Sequence, residues 1–155
     1  MRVGKTVHEN VTFTDIIRLE GVKGRKSDMT LNVRPADAEK IYRKFAVRFA
    51  QDDVHQTSVS FRPYESILKI DRKHSGSRRA IIHQRRCLVD NDDSRQGILK
   101  VRIILDHFSA EVFVNDGEYA LSATLYTDIA VDGISFFADG QVTMDVVHYT
   151  LDDAQ

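Results

Sequence analysis

The chain has 155 residues, of which 29% are charged, and its formal net charge at pH 7 is −1. This length predicts one domain, and the even charge balance excludes a general electrostatic attraction for nucleic acid or for an acidic membrane surface. No apolar run approaches the roughly 20 residues that a membrane helix needs, and the first residues lack the apolar segment of a signal peptide, so we expect a cytoplasmic protein.

Most of the N-terminal half is predicted to form short β-strands. Residues 16–19 and 29–33 are apolar-rich runs, and a loop with two glycines, Gly21 and Gly24, separates them. The stretch from Pro35 to Phe45 is the one helix candidate, because Pro suits a first helical position, although it is short enough to be a turn instead. Alternation of apolar and polar residues predicts further strands at 45–50, 57–61 and 68–70.

The segment Leu99–Gly117 is the clearest β-hairpin of the chain. Apolar and polar residues alternate from Leu99 to Asp106 and again from Ala110 to Asn115, so one face of each strand is predicted to be buried. The sequence Asn115-Asp116-Gly117 is a turn signal, since these residues tolerate positive φ.

The C-terminal part continues this pattern. Residues 119–126 are rich in β-forming types, the apolar run at 134–138 lies between Asp132-Gly133 and Asp139-Gly140, and alternation returns at 142–151. Strands that recur every 8–15 residues or so, with turn signals between them, are typical of a sandwich. The predicted fold class is therefore all-β, an antiparallel two-sheet β-sandwich of jelly-roll or concanavalin-like type, formed by residues 1–155 as one domain.

The most polar segment runs from Gln84 to Gly97 and is predicted to be a solvated loop of mixed charge. A less favoured interpretation has Arg78, Arg79, Arg85 and Arg86 contacting a phosphate or another anion. The carboxylates at positions 90, 92 and 93 resemble part of a calcium loop, but the glycine and the terminal glutamate of such a loop are missing. No histidine pairs with another His or a Cys at ligand spacing, so we predict neither a metal site nor a cofactor.

Candidates for nucleophilic or acid–base chemistry are few. The single cysteine, Cys87, has no motif around it and is expected to be a small filler residue. Asp106 and Glu111 could approach each other across the hairpin as a glycosidase carboxylate pair. A carboxylate on the polar face of a strand is more often solvated or paired with a neighbour such as Lys100 or Arg102.

The run ILDHFSAEVFVNDGEYALSATLY resembles the signature of the C-terminal β-sandwich of glycoside hydrolase family 32, the β-fructosidases. The stretches SILKIDRKHSG (66–76) and DGISFFADG (132–140) are similar to two further blocks of that domain, so the resemblance is strongest over residues 66–151. The sequence departs from the family pattern at His107 and Phe108. The positions that carry the resemblance, which we expect to be structural, are Asp106, Ser109, Glu111, Val112, Phe113, Asn115, Asp116, Gly117 and Tyr126.

The resemblance implies that catalysis takes place elsewhere. In this family the active site lies in an N-terminal five-bladed β-propeller, whose Asn-Asp-Pro, Arg-Asp-Pro and Glu-Cys blocks are absent from this sequence. We therefore assign no catalytic residue. The expected function is that of an accessory module that packs on the propeller of a β-fructosidase, with dimerisation as a further role. The parent enzyme would cleave terminal β-fructosyl bonds of sucrose, sucrose phosphate or fructans with retention, using two carboxylates.

Two alternatives remain open at this stage. A stand-alone carbohydrate-binding module would use exposed aromatic rings to contact a fructose-containing sugar, although the chain has no tryptophan for that purpose. A protein-interaction domain without a ligand would instead expose an apolar patch to a partner. The candidate residues for sugar or partner contact are Tyr42, Tyr64, Phe108 and Tyr119.

Overall fold

The computed structural model describes residues 2–74, 84–125 and 127–151. Within these ranges every regular element except one short helix is a β-strand, as the alternation predicts. None of the helical residues in these ranges forms a segment long and apolar enough to cross a membrane. In chain order the elements are β1 (Arg2–Ile17), β2 (Ser27–Pro35), β3 (Lys44–Gln51), β4 (Gln56–Arg62), β5 (Ile67–His74), β6 (Gln84–Leu88), α1 (Asp92–Arg95), β7 (Leu99–Asp106), β8 (Ser109–Val114), β9 (Tyr119–Thr124) and β10 (Gly133–Leu151).

The long strand β10 links two antiparallel sheets. Its second part, residues 142–150, pairs with β2, which continues through β7 and β8 to β9; this is sheet 1. Its first part, residues 133–139, pairs with β3, which continues through β4 and β5 to β6; this is sheet 2. Strand β1 runs along both parts of β10. The all-β antiparallel sandwich predicted from the sequence is confirmed.

One hydrophobic core fills the space between the sheets. Each strand sends alternate side chains inward, because successive residues of a strand point to opposite faces. Sheet 1 contributes residues such as Met29 and Ile103, and sheet 2 contributes residues such as Phe49 and Phe136, all of them fully buried in the same cluster. Each Å² of apolar surface that is buried contributes about 25 cal/mol, so this cluster is the main source of the domain's stability.

The Asp139-Gly140 signal marks a bend and not the end of a strand. The backbone of Gly140 has a φ of 108°, and the flanking residues Asp139 and Val142 pair with β3 and β2 respectively. A Cβ atom at Gly140 would lie 2.8 Å from the Cα atom of Tyr42. Glycine is therefore what lets β10 pass from one sheet to the other beneath the loop that holds Tyr42.

Two local predictions are corrected by the structure. The stretch between β2 and β3 contains turns and no helix, so the helix candidate at Pro35–Phe45 was wrong and the turn alternative holds. The Gln84–Gly97 segment is not simply a solvated loop, because it contains edge strand β6 and helix α1. The Asn91 side chain caps α1 by accepting a hydrogen bond from the Ser94 amide, and the Ser94 hydroxyl is buried and donates to the Val89 carbonyl.

The turn after β8 is confirmed in detail. Asn115, Asp116 and Gly117 all have positive φ, at 52°, 59° and 90°. The Asn115 amide donates to the Lys100 carbonyl over 2.9 Å, and the Lys100 ammonium group lies 2.6 Å from the Asp116 carboxylate. The residues that make this turn signal thus fix the register between β7, β8 and β9.

The buried side chain of Arg25 joins three loops at one end of the sandwich. Its guanidinium group donates to the carbonyls of Asp128, Val131, His107 and Thr127, and the side chain is 4% exposed. The ring of Phe108 lies 5.9 Å from the guanidinium carbon. Burial lowers the pKa of Arg25, and the nearby Asp128 carboxylate opposes that shift.

His148 is the one histidine that is almost fully buried among the described residues. It lies on the inner face of β10, is 1% exposed and has no well-formed hydrogen bond at either ring nitrogen. Burial therefore lowers the pKa of His148 below its ordinary value of 6.5, and the Lys23 backbone opposes the shift only in part.

We expect the free energy of unfolding to fall as the pH is lowered through about 6.5. At that pH His148 becomes protonated in the unfolded chain but stays neutral in the folded one. The contribution of His148 to stability is complete above the unfolded pKa and is lost progressively below it. Urea titrations between about pH 8 and pH 5 measure this slope. In the His148→Met variant the slope should be shallower than in the wild type. Equal slopes in wild type and His148→Met would contradict the assignment.

Candidate interaction surfaces

The four aromatic residues predicted to contact a sugar or a partner do not form one surface. Tyr42 is 1% exposed, and its hydroxyl donates to the Gly97 carbonyl over 2.7 Å. Burial also raises the pKa of Tyr42 strongly. Its ring is therefore part of the core and cannot stack on a sugar, so Tyr42 was wrongly included among the contact candidates.

The other three rings are separated from one another. Tyr64 is 71% exposed on the turn between β4 and β5, and its hydroxyl donates to the Ile41 carbonyl. Phe108 and Tyr119 lie at opposite ends of the β8–β9 ladder, about 17–20 Å apart along the strands. Phe108 is exposed above Arg25, whereas Tyr119 packs partly against the core. No shared aromatic platform results from this arrangement.

The residues that carry the resemblance mostly shape the hairpin. The Asp106 carboxylate accepts a hydrogen bond from the His107 amide, and Asp106 pairs with Ser109 across the two-residue turn. Val112 is fully buried, whereas Phe113 lies half-buried on the outer face of sheet 1. These contacts agree with a structural role for the motif. Tyr126, like Arg78, Arg79 and residues 75–77 of the polar stretch, lies outside the described residues.

The proposed carboxylate pair lies on an open surface. Asp106 and Glu111 are both exposed and project from the same outer face of the β7–β8 hairpin, at diagonal positions. Two carboxylates on one face cannot approach a glycosidic bond from opposite sides, which a retaining mechanism requires. The geometry therefore gives no support for glycosidic chemistry at this pair.

The acidic residues of the Gln84–Gly97 segment have local partners. Arg95, at the end of α1, lies 2.8 Å from the Asp90 carboxylate and 3.3 Å from that of Asp92. These two carboxylates therefore form ion pairs within the segment. Within residues 2–74, 84–125 and 127–151, no three His, Cys, Asp or Glu side chains are grouped closely enough to hold a metal ion. Cys87 is half-buried on β6, and burial raises the pKa of its thiol.

The outer face of sheet 1 pairs its charges internally. Asp28 is 5% exposed, and Arg102 donates to its two carboxylate oxygens over 2.9 and 2.7 Å, while Arg2 donates to it over 3.0 Å. The hydrogen bonds from Arg102 are the main reason that the pKa of Asp28 is lowered. Arg34 is paired with Asp145 in the same way. An open depression of about 560 Å³ lies beside Arg102 and Phe113.

The outer face of sheet 2 carries an excess of positive charge. Of its cations, only Arg86 was singled out from the sequence. Lys44 and Arg48 on β3 both lie over the ring of Phe137, at 5.9 and 5.0 Å from its centroid. Burial lowers the pKa of Lys44, and the neighbouring cations Arg62, Lys69 and Arg48 lower it further. We call this surface the basic face; its cations are Lys44, Arg48, Arg62, Lys69 and Arg86.

Comparison with known proteins decides the family. Residues 2–153 match the family described as "Glycosyl hydrolases family 32 C terminal", which covers nearly the whole chain. The chain belongs to this family. The resemblance noted for residues 66–151 therefore extends through β1 to the N-terminal part of this family 32 domain, where the sequence motifs are weak.

Relatives of the family 32 domain are much longer proteins. A levanase of Bacillus sp. (strain L7) is 30% identical over 102 residues, which is 63% of this chain and 10% of the levanase. A sucrose-6-phosphate hydrolase of Staphylococcus xylosus is 26% identical over 137 residues, or 86% of this chain and 26% of that protein. The chain thus spans only a minor part of either relative.

Solved structures share the fold of the family 32 domain at low sequence identity. Fructan 1-exohydrolase IIa from Cichorium intybus superposes with a TM-score of 0.83 at 15% identity, over 99% of this chain and 36% of the exohydrolase. Exo-inulinase from Aspergillus awamori superposes with a TM-score of 0.74 at 18% identity, over 98% of this chain and 29% of the inulinase. At these identities the similarity establishes the sandwich fold.

Proposed function

We propose that this domain is the non-catalytic C-terminal β-sandwich of a β-fructosidase. The observation that carries the proposal is the family match over residues 2–153, together with the small share of each relative that the chain spans. The similar proteins include a levanase, a sucrose-6-phosphate hydrolase and an exo-inulinase. The parent enzyme would accordingly hydrolyse terminal β-fructosyl bonds of sucrose, sucrose phosphate or fructans.

The task of the domain in that enzyme is to pack on a catalytic propeller. The open carboxylate pair Asp106 and Glu111 supports a non-catalytic role, because these groups cannot flank a bound sugar. Dimerisation through the sandwich and contact with a fructose-containing sugar are further parts of the proposal, as is a cytoplasmic location. Sedimentation of the isolated chain tests the first of these, and titration with fructose, inulin or levan tests the second.

The purified chain is expected to release no fructose from sucrose, sucrose 6-phosphate or levan, because no two carboxylates are enclosed together among the residues that the structure describes. A reducing-sugar assay measures the release, with the Staphylococcus xylosus hydrolase as the positive control. Turnover by the chain that disappears in Asp106→Asn or Glu111→Gln would contradict a non-catalytic role.

The reading frame that encodes the chain tests the link to a parent enzyme. We expect sequencing of the flanking DNA to show an in-frame region for a propeller upstream. A start codon at Met1 with no propeller would contradict the proposal and favour a stand-alone sugar-binding module, whose affinity the same titrations would measure.

A further inference from the structure

The two outer faces of the sandwich differ in how they neutralise their charges. On sheet 1, Arg2, Arg34 and Arg102 each have a carboxylate partner at about 3 Å or less. On the basic face of sheet 2, Lys44, Arg48, Arg62 and Arg86 have no ion pair with any described residue. Lys69 lies 3.9 Å from the Asp71 carboxylate, which is a longer contact than those on sheet 1. Asp139 lies opposite Lys44, and Glu65 lines the same depression as Arg62, so the five cations of the basic face exceed the nearby carboxylates. The basic face therefore has an excess of positive charge, although the whole chain has a net charge of −1.

Leaving these cations together has an energetic cost in the isolated domain. The lowered pKa of Lys44 reflects both burial and repulsion from its neighbours, of which Asp71 relieves only a part. Like charges at this spacing repel one another even through solvent. A partner that brings carboxylates to the basic face would remove this repulsion.

The shape of the basic face suits a broad protein surface. Ala46, Ser60 and Ser135 point outward from their strands and yet are only 2%, 4% and 0% exposed, because the longer side chains around them lie over the sheet. The surface is therefore flat. Two exposed apolar residues flank this surface, Ile16 on β1 and Leu88 on β6. The row of cross-strand neighbours from Ile16 to Arg86 crosses five inter-strand spacings, so the face is about 24 Å wide.

An enclosed small ligand fits this face poorly. A depression lined by Ser60, Arg62, Glu65, Lys69 and Arg86 has a volume of only about 80 Å³. A larger depression of about 590 Å³, at the edge of the face beside Arg62 and Tyr64, is open to solvent and encloses nothing. Small-molecule sites usually have roughly 300–1,000 Å³. Arginine, an aromatic ring and apolar edge residues are instead the composition found at the centre of protein interfaces.

We propose that the basic face of sheet 2 is the surface that docks on the catalytic propeller, and that the propeller presents carboxylates to it. This inference rests on the proposed function and adds to it the face that docks and the chemistry of the partner. Lys44, Arg48 and Arg62 gain carboxylate partners in the docked state, and the ring of Phe137 is buried with them.

Lysine reactivity in the isolated chain and in the full-length enzyme tests which face is covered. Both proteins are treated with an acetylating reagent, and the extent of modification is read by mass spectrometry. Lys44 and Lys69 should be modified several-fold more slowly in the full-length enzyme than in the isolated chain. Lys5, exposed on β1 beside sheet 1, and Lys23, exposed in the loop before β2, serve as internal controls and should react alike in both.

Removal of positive charge from the basic face provides a second test, in which the direction of each Tm shift is informative. The double variant Arg62→Gln/Lys69→Gln should raise the Tm of the isolated chain, because it relieves repulsion among the cations. It should lower the Tm of the full-length enzyme, because it removes two partners of the propeller carboxylates. The matched control, Lys5→Gln/Lys23→Gln, changes the net charge equally and should not produce this opposite pair of shifts. A purely structural role of Arg62 and Lys69 would lower both values.

Each result bears on a different part of the inference. Slow acetylation of Lys44 and Lys69 in the enzyme, with opposite Tm shifts, supports docking on the basic face. Unchanged reactivity of both lysines while other lysines are protected would overturn it and leave the proposed function intact. A reading frame without a propeller would overturn the proposed function and this inference together, and self-association of the isolated chain that the double variant abolishes would identify a second copy as the occupant instead.

Discussion

Replacing Arg25 with alanine is expected to lower the free energy of unfolding by about 3–4 kcal/mol. The guanidinium group donates to four backbone carbonyls, which belong to the β7–β8 turn and to the loop before β10. Hydrogen bonds from a charged donor contribute more than neutral ones, and buried carbonyls that lose their donor remain desolvated. Urea unfolding followed by circular dichroism measures the change.

Replacing Arg25 with lysine is also expected to destabilise the domain. The four carbonyls are reached from two guanidinium nitrogens that point in different directions, and a single ammonium group cannot occupy both places. Arg25→Lys should therefore recover only a minor part of the loss. The control is Arg34→Ala, which removes a partly exposed ion pair with Asp145 and should cost about 1 kcal/mol or less. A loss in Arg25→Ala as small as that in the control would show that the carbonyls find other donors.

Gly140→Ala should destabilise the domain by about 2–4 kcal/mol. The backbone φ of 108° is unfavourable for alanine, and the added Cβ would lie 2.8 Å from the Cα atom of Tyr42 and 3.0 Å from its Cβ atom. Because one of these contacts is with the backbone, a side-chain rotation cannot relieve it. The loss should therefore exceed that of backbone strain alone.

The matched control for this prediction is Gly117→Ala. Gly117 also has a positive φ, 90°, but a Cβ atom there would have nothing within 4 Å. We expect a cost of about 1 kcal/mol, which is backbone strain without a collision. Thermal and urea unfolding of both variants, made in the same background, separate the two contributions. Equal losses would mean that the loop around Tyr42 moves aside at no cost.

Local chemistry made much of the fold predictable. The alternation from Leu99 to Asp106 places Val101 and Ile103 in the core and Arg102 outside, as observed. The Asn-Asp-Gly turn follows from the conformational freedom of its residues. Both features depend on neighbours in sequence, which is why a single sequence reveals them.

Features that depend on distant partners were missed. Strand β1 was predicted only near Ile16, because most of its side chains are exposed and alternation is weak when neither face is buried. Tyr42 was predicted to be exposed, because the sequence does not show that its hydroxyl reaches the Gly97 carbonyl from the loop before β3. The basic face combines cations from β3, β4, β5 and β6, so it exists only once the register between those strands is known.

The position of β10 also dictates when the domain can form during synthesis. This last strand is the one that hydrogen-bonds to β1, β2 and β3, so the two sheets have no shared strand until residues 133–151 have left the ribosome. Pairing Arg2 with Leu151 joins nearly opposite ends of the chain, and contacts of such long sequence separation form slowly. Until then the inner faces of both half-built sheets are open to solvent and to other chains. The emerging polypeptide therefore has a window of aggregation risk that closes only once β10 has emerged and paired.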